Sequence, residues 1–376
     1  MNGITVKDGG ILQVNSRFGL TATNMKIEQD AGLEFTLGDT ASEDYTPTKL
    51  NGAWTADWGN GLFYTDDGTM SGFGGQFGHE YRDLFYSSAY VSARLSMTVA
   101  KGGILTGADL RGYGSVRVTS GGKIFNTKIK GVGVNINSGG YASSLSATID
   151  PDRTANQTQI WAYGSGATLN ATVLNGGFLG LEIGAVANGV TMTAPEGYAG
   201  GLGDAENFGP VELEIQPGGT ANNVVASAGI ITLGGGSKAP GTAGPTLNNA
   251  DVHSSASIFV MSDDGVMTGT LNLGGKVVTT AKRYEYVEVE VTDPATGNVY
   301  PDWQRVEKNN AVVDASNLTV NFDLTERKSD EDVAMIDNLA NLQGATLGTI
   351  TVSAEQEGGK NTLSSIFTTR PPMPPG

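Results

Sequence analysis

The chain of 376 residues has no cysteine and only two histidines, His79 and His253. The absence of cysteine excludes disulfides, thiolate metal sites and cysteine nucleophiles, and such a chain cannot be trapped by oxidation outside the cytosol. The two histidines lie far apart in sequence, so little side-chain chemistry titrates near pH 7. These absences favour a secreted structural or binding protein.

Basic residues are also scarce, because 23 lysines and arginines stand against 39 acidic residues and give a net charge of −16. Such a charge repels polyphosphate, so no nucleic-acid partner is expected. No apolar run is long enough to span a bilayer, so no direct membrane insertion of this segment is expected. The first residues, MNGITVKDGG, lack the basic and apolar regions of a signal peptide. We expect that any export signal was removed or never existed.

Glycine, in contrast, is abundant, with 55 residues, about twice ordinary usage. The pairs Gly102-Gly103, Gly121-Gly122 and Gly139-Gly140 recur at intervals of 19 and 18 residues. Two adjacent glycines would cost roughly 2 kcal/mol in a helix interior, which excludes helical repeats. Short V-x-V, I-x-I and L-x-L triplets between the pairs alternate as strands do. The sequence therefore contains a repeat of strands and glycine turns.

This repeat predicts an all-β fold, a right-handed parallel β-helix solenoid. A single coil cannot bury its inward Val, Ile and Leu side chains alone, so successive coils must stack, each adding about 4.8 Å. The handedness follows the crossover preference of parallel strands. About a dozen coils would make a rod roughly 60 Å long. Stacked coils should also align like polar residues in rows, and the candidates are Asn126, Asn135, Asn137, Asn170 and Asn175.

Breaks in the repeat divide the chain into five predicted regions. They are the first coils at 1–40, an aromatic-rich insertion at 41–96, repeats at 97–283, a hairpin plus strand-helix-strand cap at 284–366, and a proline-rich tail at 367–376.

The predicted cap is a small α+β unit that covers the open end of the stack. Its hairpin is indicated by YEYVEVEV and VYPDWQRVEK on either side of TDPATGN. Its helix is indicated by SDEDVAMIDNLANLQG, with Ser329 as N-cap and Gly344 as the end. Strands are expected at 318–324 and 348–354.

The insertion holds much of the chain's aromatic content and is the predicted ligand-binding region. An excursion of this length must leave the side of the solenoid, where repeat proteins usually place binding surfaces. Aromatic faces stack on sugar rings while carboxylates accept hydroxyl hydrogen bonds, although the same rings also suit a small core of the insertion. Both interpretations stay open. The predicted ligand-binding residues are Trp54, Trp58, Tyr64, Tyr81, Asp57, Asp66 and Asp67.

Two further sites are predicted with less specific signals. The sequences Asp66-Asp67-Gly68 and Asp263-Asp264-Gly265 are candidate calcium corners, although isolated DDG sequences also form solvated turns. No other cofactor or metal is expected. The hairpin residues Tyr286, Tyr300 and Trp303 are the predicted surface for self-association or a partner.

No catalytic residue is predicted. A glycosidase needs two carboxylates about 5 to 9.5 Å apart across a groove, and the coil residues Asp109, Asp150, Asp152 and Glu182 do not cluster at one phase of the repeat. The galacturonase signature with its GHG and RIK elements is not matched either. A polysaccharide-degrading β-helix enzyme and a phage tailspike-like fibre remain the alternatives to a binding protein.

The pattern V-x-x-GG-x-a-x-x-T-x-V-x-x-GG occurs as VTSGGKIFNTKIKGVGVNINSGGYASS and, degenerately, as LNATVLNGGFLGLEIGAVANGVTM. It resembles the passenger repeats of AIDA-type autotransporter adhesins, from Gly3 to about Lys282 with interruptions. The resemblance implies a stalk exported through a C-terminal outer-membrane barrel, sometimes heptosylated on Ser and Thr, and prone to self-association. The expected function is a bacterial surface-displayed or secreted adhesin or structural passenger that binds a host or bacterial surface glycan or protein.

Overall fold

The structure is a computed structural model that describes residues 4–7, 11–16, 21–22, 26–27, 32–37, 49–50, 54–57, 95–99, 101, 104–149, 158–195, 211–235, 241–292, 299–325 and 335–351. The described residues are mostly β-strand, with one 3-10 helix at Leu339–Asn341. The N-terminal strands are β1 (Thr5–Val6), β2 (Ile11–Ser16), β3 (Thr21–Ala22), β4 (Lys26–Ile27), β5 (Gly32–Leu37), β6 (Lys49–Leu50), β7 (Trp54–Asp57), β8 (Leu95–Val99) and β9 (Ile104–Thr106).

The remaining strands continue the same short-strand pattern. The central ones are β10 (Ala108–Val118), β11 (Lys123–Phe125), β12 (Lys128–Ile136), β13 (Tyr141–Ser143), β14 (Ser146–Thr148), β15 (Gln159–Ala162), β16 (Thr168–Asn175), β17 (Gly177–Leu181), β18 (Val186–Thr193), β19 (Val211–Ile215), β20 (Thr220–Ala226) and β21 (Gly229–Leu233). The C-terminal ones are β22 (Thr246–Val252), β23 (Ala256–Val260), β24 (Val266–Leu273), β25 (Lys276–Val278), β26 (Arg283–Thr292), β27 (Val299–Lys308), β28 (Val313–Asp323), β29 (Leu342–Gln343) and β30 (Thr346–Thr351).

Three parallel ladders run along the described stack and form its three faces. Face 1 joins β1, β4, β7, β10, β12, β14, β16, β18, β20, β22, β24, β28 and β30. Face 2 joins β2, β5, β8, β10, β12, β15, β17, β19, β21, β23 and β25. Face 3 joins β3, β6, β9, β11, β13, β16, β18, β20, β22, β24, β28 and β29. The predicted right-handed parallel β-helix is confirmed, with about a dozen coils.

The core lies inside these three faces. In β12, for example, Ile129, Val132, Val134 and Ile136 are buried while the residues between them face outward. The same alternation places buried Val, Ile, Leu and Ala side chains at matching positions of successive coils. Because each coil leaves its apolar residues uncovered above and below, stacking supplies the burial that a single coil lacks.

The pairs Gly121-Gly122 and Gly139-Gly140 stand at the corner between face 2 and face 3, in the turn role that the sequence predicts. Gly139 has a φ of +69°, which an L-residue rarely adopts. Its neighbour Gly140 has no room for a side chain, because a Cβ there would lie 2.7 Å from the carbonyl oxygen of Val118 in the preceding coil. The first glycine thus makes the turn, and the second permits the close approach of two coils.

A left-handed residue also recurs at the corner between face 3 and face 1. Glycine is not required there, since asparagine tolerates this conformation better than most residues. The residues with positive φ at this corner are Gly107, Asn126, Ser144, Ala171, Gly189, Asn223, Asn249 and Gly269.

Asparagine residues form a row along face 3. The side-chain amide of Asn188 donates to Asn170 Oδ1 at 2.9 Å, Asn222 donates to Asn188 at 2.9 Å, and Asn248 donates to Asn222 at 3.2 Å. The first member, Asn170, donates to Tyr141 Oη at 2.8 Å. Of the five candidates, only Asn170 belongs to this row. Asn126 is a corner residue with positive φ, Asn135 is aligned with Trp161 on face 2, and Asn175 accepts a hydrogen bond from Thr193.

The predicted hairpin is confirmed as the antiparallel pair β26 and β27, which leaves the stack between β25 and β28. Its base is joined to the solenoid through Arg283, whose side chain is buried at 4% exposure. Arg283 Nη2 donates to Asp263 Oδ1 at 2.6 Å and to the carbonyl oxygen of Asn310 at 3.0 Å. Lys308 Nζ lies 3.2 Å from Asp263 Oδ2. These contacts attach both strands of the hairpin to the corner that holds Asp263.

The helix predicted from Ser329 to Gly344 is wrong where the structure describes it, in residues 335–344. Ile336 forms a parallel bridge with Val277 on face 2, and β29 joins face 3 beside β28. Only the short 3-10 helix lies between them. The segment pairs as a further coil because open strand edges of the preceding coil offer hydrogen-bond partners to its backbone. The final strand predicted at 348–354 corresponds to β30.

Part of the range predicted as an insertion, 41–96, pairs with strands of the coils. The strands β6 and β7 lie within that range, yet β6 pairs with β3 and β9 on face 3, and β7 pairs with β4 and β10 on face 1. These residues therefore belong to the coils. Residues 58–94 lie outside the described part of the chain.

Candidate functional site: a groove on face 2

Outward-facing side chains on neighbouring strands of face 2 surround a cavity of about 430 Å³. That volume lies in the range of small-molecule sites. The strands involved are β15, β17, β19, β21 and β23, which are hydrogen-bonded in this order. The residues that line the cavity are Gln159, Trp161, Phe178, Glu212, Glu214, Ile230, Thr232, Gly235, Phe259 and Met261. We call this cavity the face-2 groove.

Strand register brings these residues together in rows across the coils. Gln159, Phe178, Glu212 and Ile230 occupy one row, each aligned with the next. The adjacent row on the same face contains Trp161, Gly180, Glu214, Thr232 and Phe259. Residues far apart in sequence thus become neighbours at the spacing of adjacent strands.

One end of the groove has an aromatic wall. The rings of Trp161 and Phe178 are 4.7 Å apart at their centroids and are tilted by 47°. The indole of Trp161 lies over Gly180, where an added Cβ would come within 2.3 Å of the ring. A glycine on this strand is therefore needed for the position of the indole.

Two carboxyl groups, Glu212 and Glu214, line the cavity from β19. Glu212 is buried at 8% exposure, and the hydroxyl of Thr232 donates to its Oε1 at 3.2 Å. Burial, reinforced by the charge of Glu214, raises the pKa of Glu212 to about 7. Burial also raises the pKa of Glu214, although the amide of Gln216 donates to its Oε1 at 3.1 Å and opposes the shift. Among the described residues that line the groove there is no Lys, Arg or His.

The aromatic wall and the carboxyl groups together would accept a ligand that has an apolar body and a polar or positively charged group.

The raised pKa of Glu212 predicts how the free energy of unfolding depends on pH. Because the folded-state pKa of Glu212 is raised, its stabilising contribution is complete at low pH and is lost as pH rises through about 7. We expect Glu212→Gln to match the wild type near pH 4.5 and to exceed it at pH 8, by on the order of 2 kcal/mol in free energy of unfolding. Urea unfolding at the two pH values measures this.

The matched control for this prediction is Glu290→Gln, because Glu290 is an exposed residue of the hairpin. It should leave the difference between the two pH values unchanged. If Glu212→Gln is equally or less stable than the wild type at pH 8, the buried carboxyl group is not the source of the effect.

The ligand-binding residues predicted from sequence are only partly described. Trp54 and Asp57 lie on β7, whose backbone is paired on face 1 rather than in a loop. The remaining residues of that set, Trp58, Tyr64, Tyr81, Asp66 and Asp67, lie outside the described residues. Their role in ligand binding stays a prediction.

The hairpin residues predicted for self-association are on paired strands. Tyr286 lies opposite Arg305, Trp303 lies opposite Glu288, and Tyr300 lies opposite Val291. The hairpin thus brings Tyr286 and Trp303 to neighbouring positions of the two strands. Their role in association also stays a prediction.

The aspartates of the second candidate calcium corner have protein partners. Asp263 is bonded to Arg283 and Lys308, and Asp264 accepts a hydrogen bond from the hydroxyl of Ser262. Partial burial alone would raise the pKa of Asp263, but the hydrogen bonds and charges of the two basic side chains outweigh it and lower that pKa. In the described ranges, no group of three or more His, Asp or Glu residues is placed to hold a metal ion. Calcium at these corners stays a prediction.

The groove was not predicted from the sequence. A signal exists in VELEI of β19, where two glutamates occupy the alternate positions that a solvent-facing row would use. Its aromatic neighbours come from other coils, and the loops between those coils differ in length. Only the register of face 2 shows that Trp161, Glu214 and Phe259 share one row.

Comparisons with known proteins give limited further information. No family model matches the chain, and no curated protein matches it. Among solved structures the chain is similar to a "TibC-catalyzed hyper-glycosylated TibA55-350 fragment", with 14% identity and a TM-score of 0.46 over 94% of this chain and 96% of that one. The assignment of a parallel β-helix rests on the ladders of this chain. In its described part, no helix is long and apolar enough to cross a membrane.

Proposed function

We propose that this chain is the binding part of a bacterial adhesin, displayed on the cell surface or secreted, and that it acts by binding or self-association without chemistry. The observation that supports this most is the combination of a continuous three-faced stack with a ligand-sized groove on its side. The AIDA-type character of the glycine-paired repeats points in the same direction. The ligand would be a glycan or protein on a host or bacterial surface.

The mechanism in this proposal is geometric. Parallel hydrogen bonds join each coil to both neighbours, and the asparagine row on face 3 adds side-chain bonds along the same axis. A stack of this kind is stiff over roughly 60 Å. Sites on its side, such as the face-2 groove and the hairpin fixed by Arg283, are held at set positions relative to one another.

The test is binding of the purified full chain to host cells and to a glycan panel. We expect saturable binding that is reduced at least tenfold by Trp54→Ala combined with Trp58→Ala if the predicted insertion residues carry it. Tyr163→Ala is the matched control for loss of an aromatic residue elsewhere, because Tyr163 is half-buried after β15 and belongs to none of the predicted binding surfaces. Concentration-dependent self-association, measured by sedimentation, is the second expected mode of action.

Two results would contradict the proposal. The first is the absence of both cell or glycan binding and self-association. The second is release of reducing sugars from a polysaccharide panel that is abolished by Glu212→Gln, which would show a glycan-degrading enzyme.

A further inference from the structure

We propose that the face-2 groove binds an organic ammonium ion, with the carboxyl groups of Glu212 and Glu214 facing the nitrogen and the rings of Trp161, Phe178 and Phe259 around its apolar body. This inference rests on the proposed function in taking the groove as a binding site, and it names the chemical group that the groove would accept. The titration below needs no cell-surface receptor, so its failure is distinguishable from a failure of adhesion.

The first argument is negative charge that no basic side chain among the described lining residues neutralises. Glu212 and Glu214 occupy alternate positions of β19, so their Cα atoms are about 6.6 Å apart on one side of the strand. Their described hydrogen-bond donors are the neutral groups of Thr232 and Gln216. Two neighbouring carboxyl groups that are largely removed from water favour the binding of a positive charge between them.

The second argument is the nature of the walls. Trp161 and Phe178 form a ring pair at one end, and Phe259 lines the row that also contains Glu214. Aromatic faces attract alkylammonium groups through their negative quadrupole, and the attraction grows when water is excluded. Carboxylates and aromatic rings around one cavity are therefore complementary to a cation that carries methyl or methylene groups.

A bare metal ion is a poor occupant of the same space. Calcium takes six to eight oxygen ligands, whereas the other described lining residues include Ile230, Phe259 and Met261. A neutral sugar would stack on the rings, but it would leave the two carboxyl groups without a compensating charge. The organic cation is the occupant that is complementary both to the aromatic rings and to the two carboxyl groups of the groove.

Binding should depend on pH through the same carboxyl groups. In the part of the chain that the structure describes, the charged groups that act on the pair are Glu214 beside Glu212 on the same strand and Glu182, after β17, beside Glu214. The described lining residues from β15, β21 and β23 are uncharged. With the pKa of Glu212 at about 7, the ionised fraction rises about tenfold between pH 6 and pH 8. The association constant should rise by about the same factor, and binding near pH 6 should take place with proton release.

The experiment is isothermal titration of the full chain with choline and with its neutral isostere 3,3-dimethylbutan-1-ol at pH 6 and pH 8. We expect choline to bind at least tenfold more tightly than the isostere, and about tenfold more tightly at pH 8 than at pH 6. Glu212→Gln should weaken choline binding at pH 8 at least tenfold and remove most of the rise in affinity between pH 6 and pH 8. Trp161→Leu should weaken binding at both pH values.

Glu290→Gln is the control for general attraction of cations to a chain of net charge −16. It removes one exposed carboxylate and should change nothing. Circular dichroism and thermal unfolding of each variant test that the coils are intact. If Trp161→Leu disturbs the stack, Glu212→Gln still tests the proposal, because this substitution preserves side-chain size. The proposal is overturned by equal binding of the isostere, by choline binding that Glu212→Gln leaves unchanged, by methyl glucoside binding without choline binding, or by no heat with choline at pH 8.

Discussion

Gly140→Ala is expected to lower the free energy of unfolding by about 3 kcal/mol. Gly140 does not have positive φ, so the cost comes from space and not from backbone conformation. A Cβ would lie 2.7 Å from the carbonyl oxygen of Val118 and 2.9 Å from that of Asn137. Both oxygens already accept hydrogen bonds, from the N–H groups of Asn137 and Gly140 respectively. Neither can retreat without weakening a bond that closes the corner or joins two coils.

Urea unfolding followed by circular dichroism measures this loss. Gly274→Ala is the control, because the nearest atoms to a Cβ at Gly274 are 3.4 Å away, at ordinary contact distance, and its φ is also not positive. We expect a change below about 1 kcal/mol for the control. Equal stability of Gly140→Ala and the wild type would contradict the close approach of coils at this corner.

Asp337→Ala is expected to destabilise the C-terminal coils by about 3 kcal/mol. The Asp337 carboxylate accepts hydrogen bonds from the backbone N–H and hydroxyl of Thr279 and from the same two groups of Thr280, at 2.6 to 2.9 Å. Thr279 is fully buried, so its N–H would lose a partner that water cannot readily replace. This one side chain joins the coil after β28 to the coil that holds β25.

Hydrogen exchange followed by mass spectrometry gives the location of this effect. In Asp337→Ala, peptides from β28 to β30 should lose protection while peptides from the central coils keep theirs, because repeat proteins can open from one end. Asp323→Ala is the matched control, since the described side-chain hydrogen bonds of Asp323 go only to the neighbouring Thr325. Uniform loss of protection along the whole chain, or none at all, would contradict the capping role of Asp337.

Much of the coil was predictable because its turns have strict local requirements. The pair Gly139-Gly140 combines a left-handed turn with a contact that excludes a side chain, and both requirements select glycine whatever the surrounding sequence. The hairpin was predictable for a similar reason, since alternating strands flank a turn-forming segment. Such signals lie within a few residues of each other.

The helix prediction was wrong because the local sequence pattern favours a helix while long-range pairing with the preceding coil favours a strand. Gly344 ends the segment as expected and has a φ of +82°. The residues before it have the acidic start and apolar spacing of a helix, yet Ile336 and Leu342 are buried in pairing with Val277 and β28. The open edge of a preceding coil is not visible in the local pattern. It decides the structure because pairing with a further strand satisfies the open backbone groups at that edge.

The face-2 groove was beyond sequence reasoning for a geometric reason. A fixed repeat length would place Trp161, Glu214 and Phe259 at the same phase, but segments of unequal length separate β15, β19 and β23. Repeat length therefore no longer predicts which residues are aligned after each longer connection. The register of the paired strands gives this alignment and places the two carboxyl groups and the aromatic residues on one surface.

Disulfide formation between engineered cysteines is the most direct test of the stacked coils. Val173 and Thr191 are partners in the register of β16 and β18, whereas Thr193 is the partner of Asn175 two positions further along. The chain has no native cysteine to interfere. In-register neighbours lie within disulfide reach, and a displacement of two residues exceeds it. We predict that Val173→Cys with Thr191→Cys oxidises to a closed loop and that Val173→Cys with Thr193→Cys does not. Equal oxidation of both pairs, or preference for the second, would contradict the parallel in-register stack.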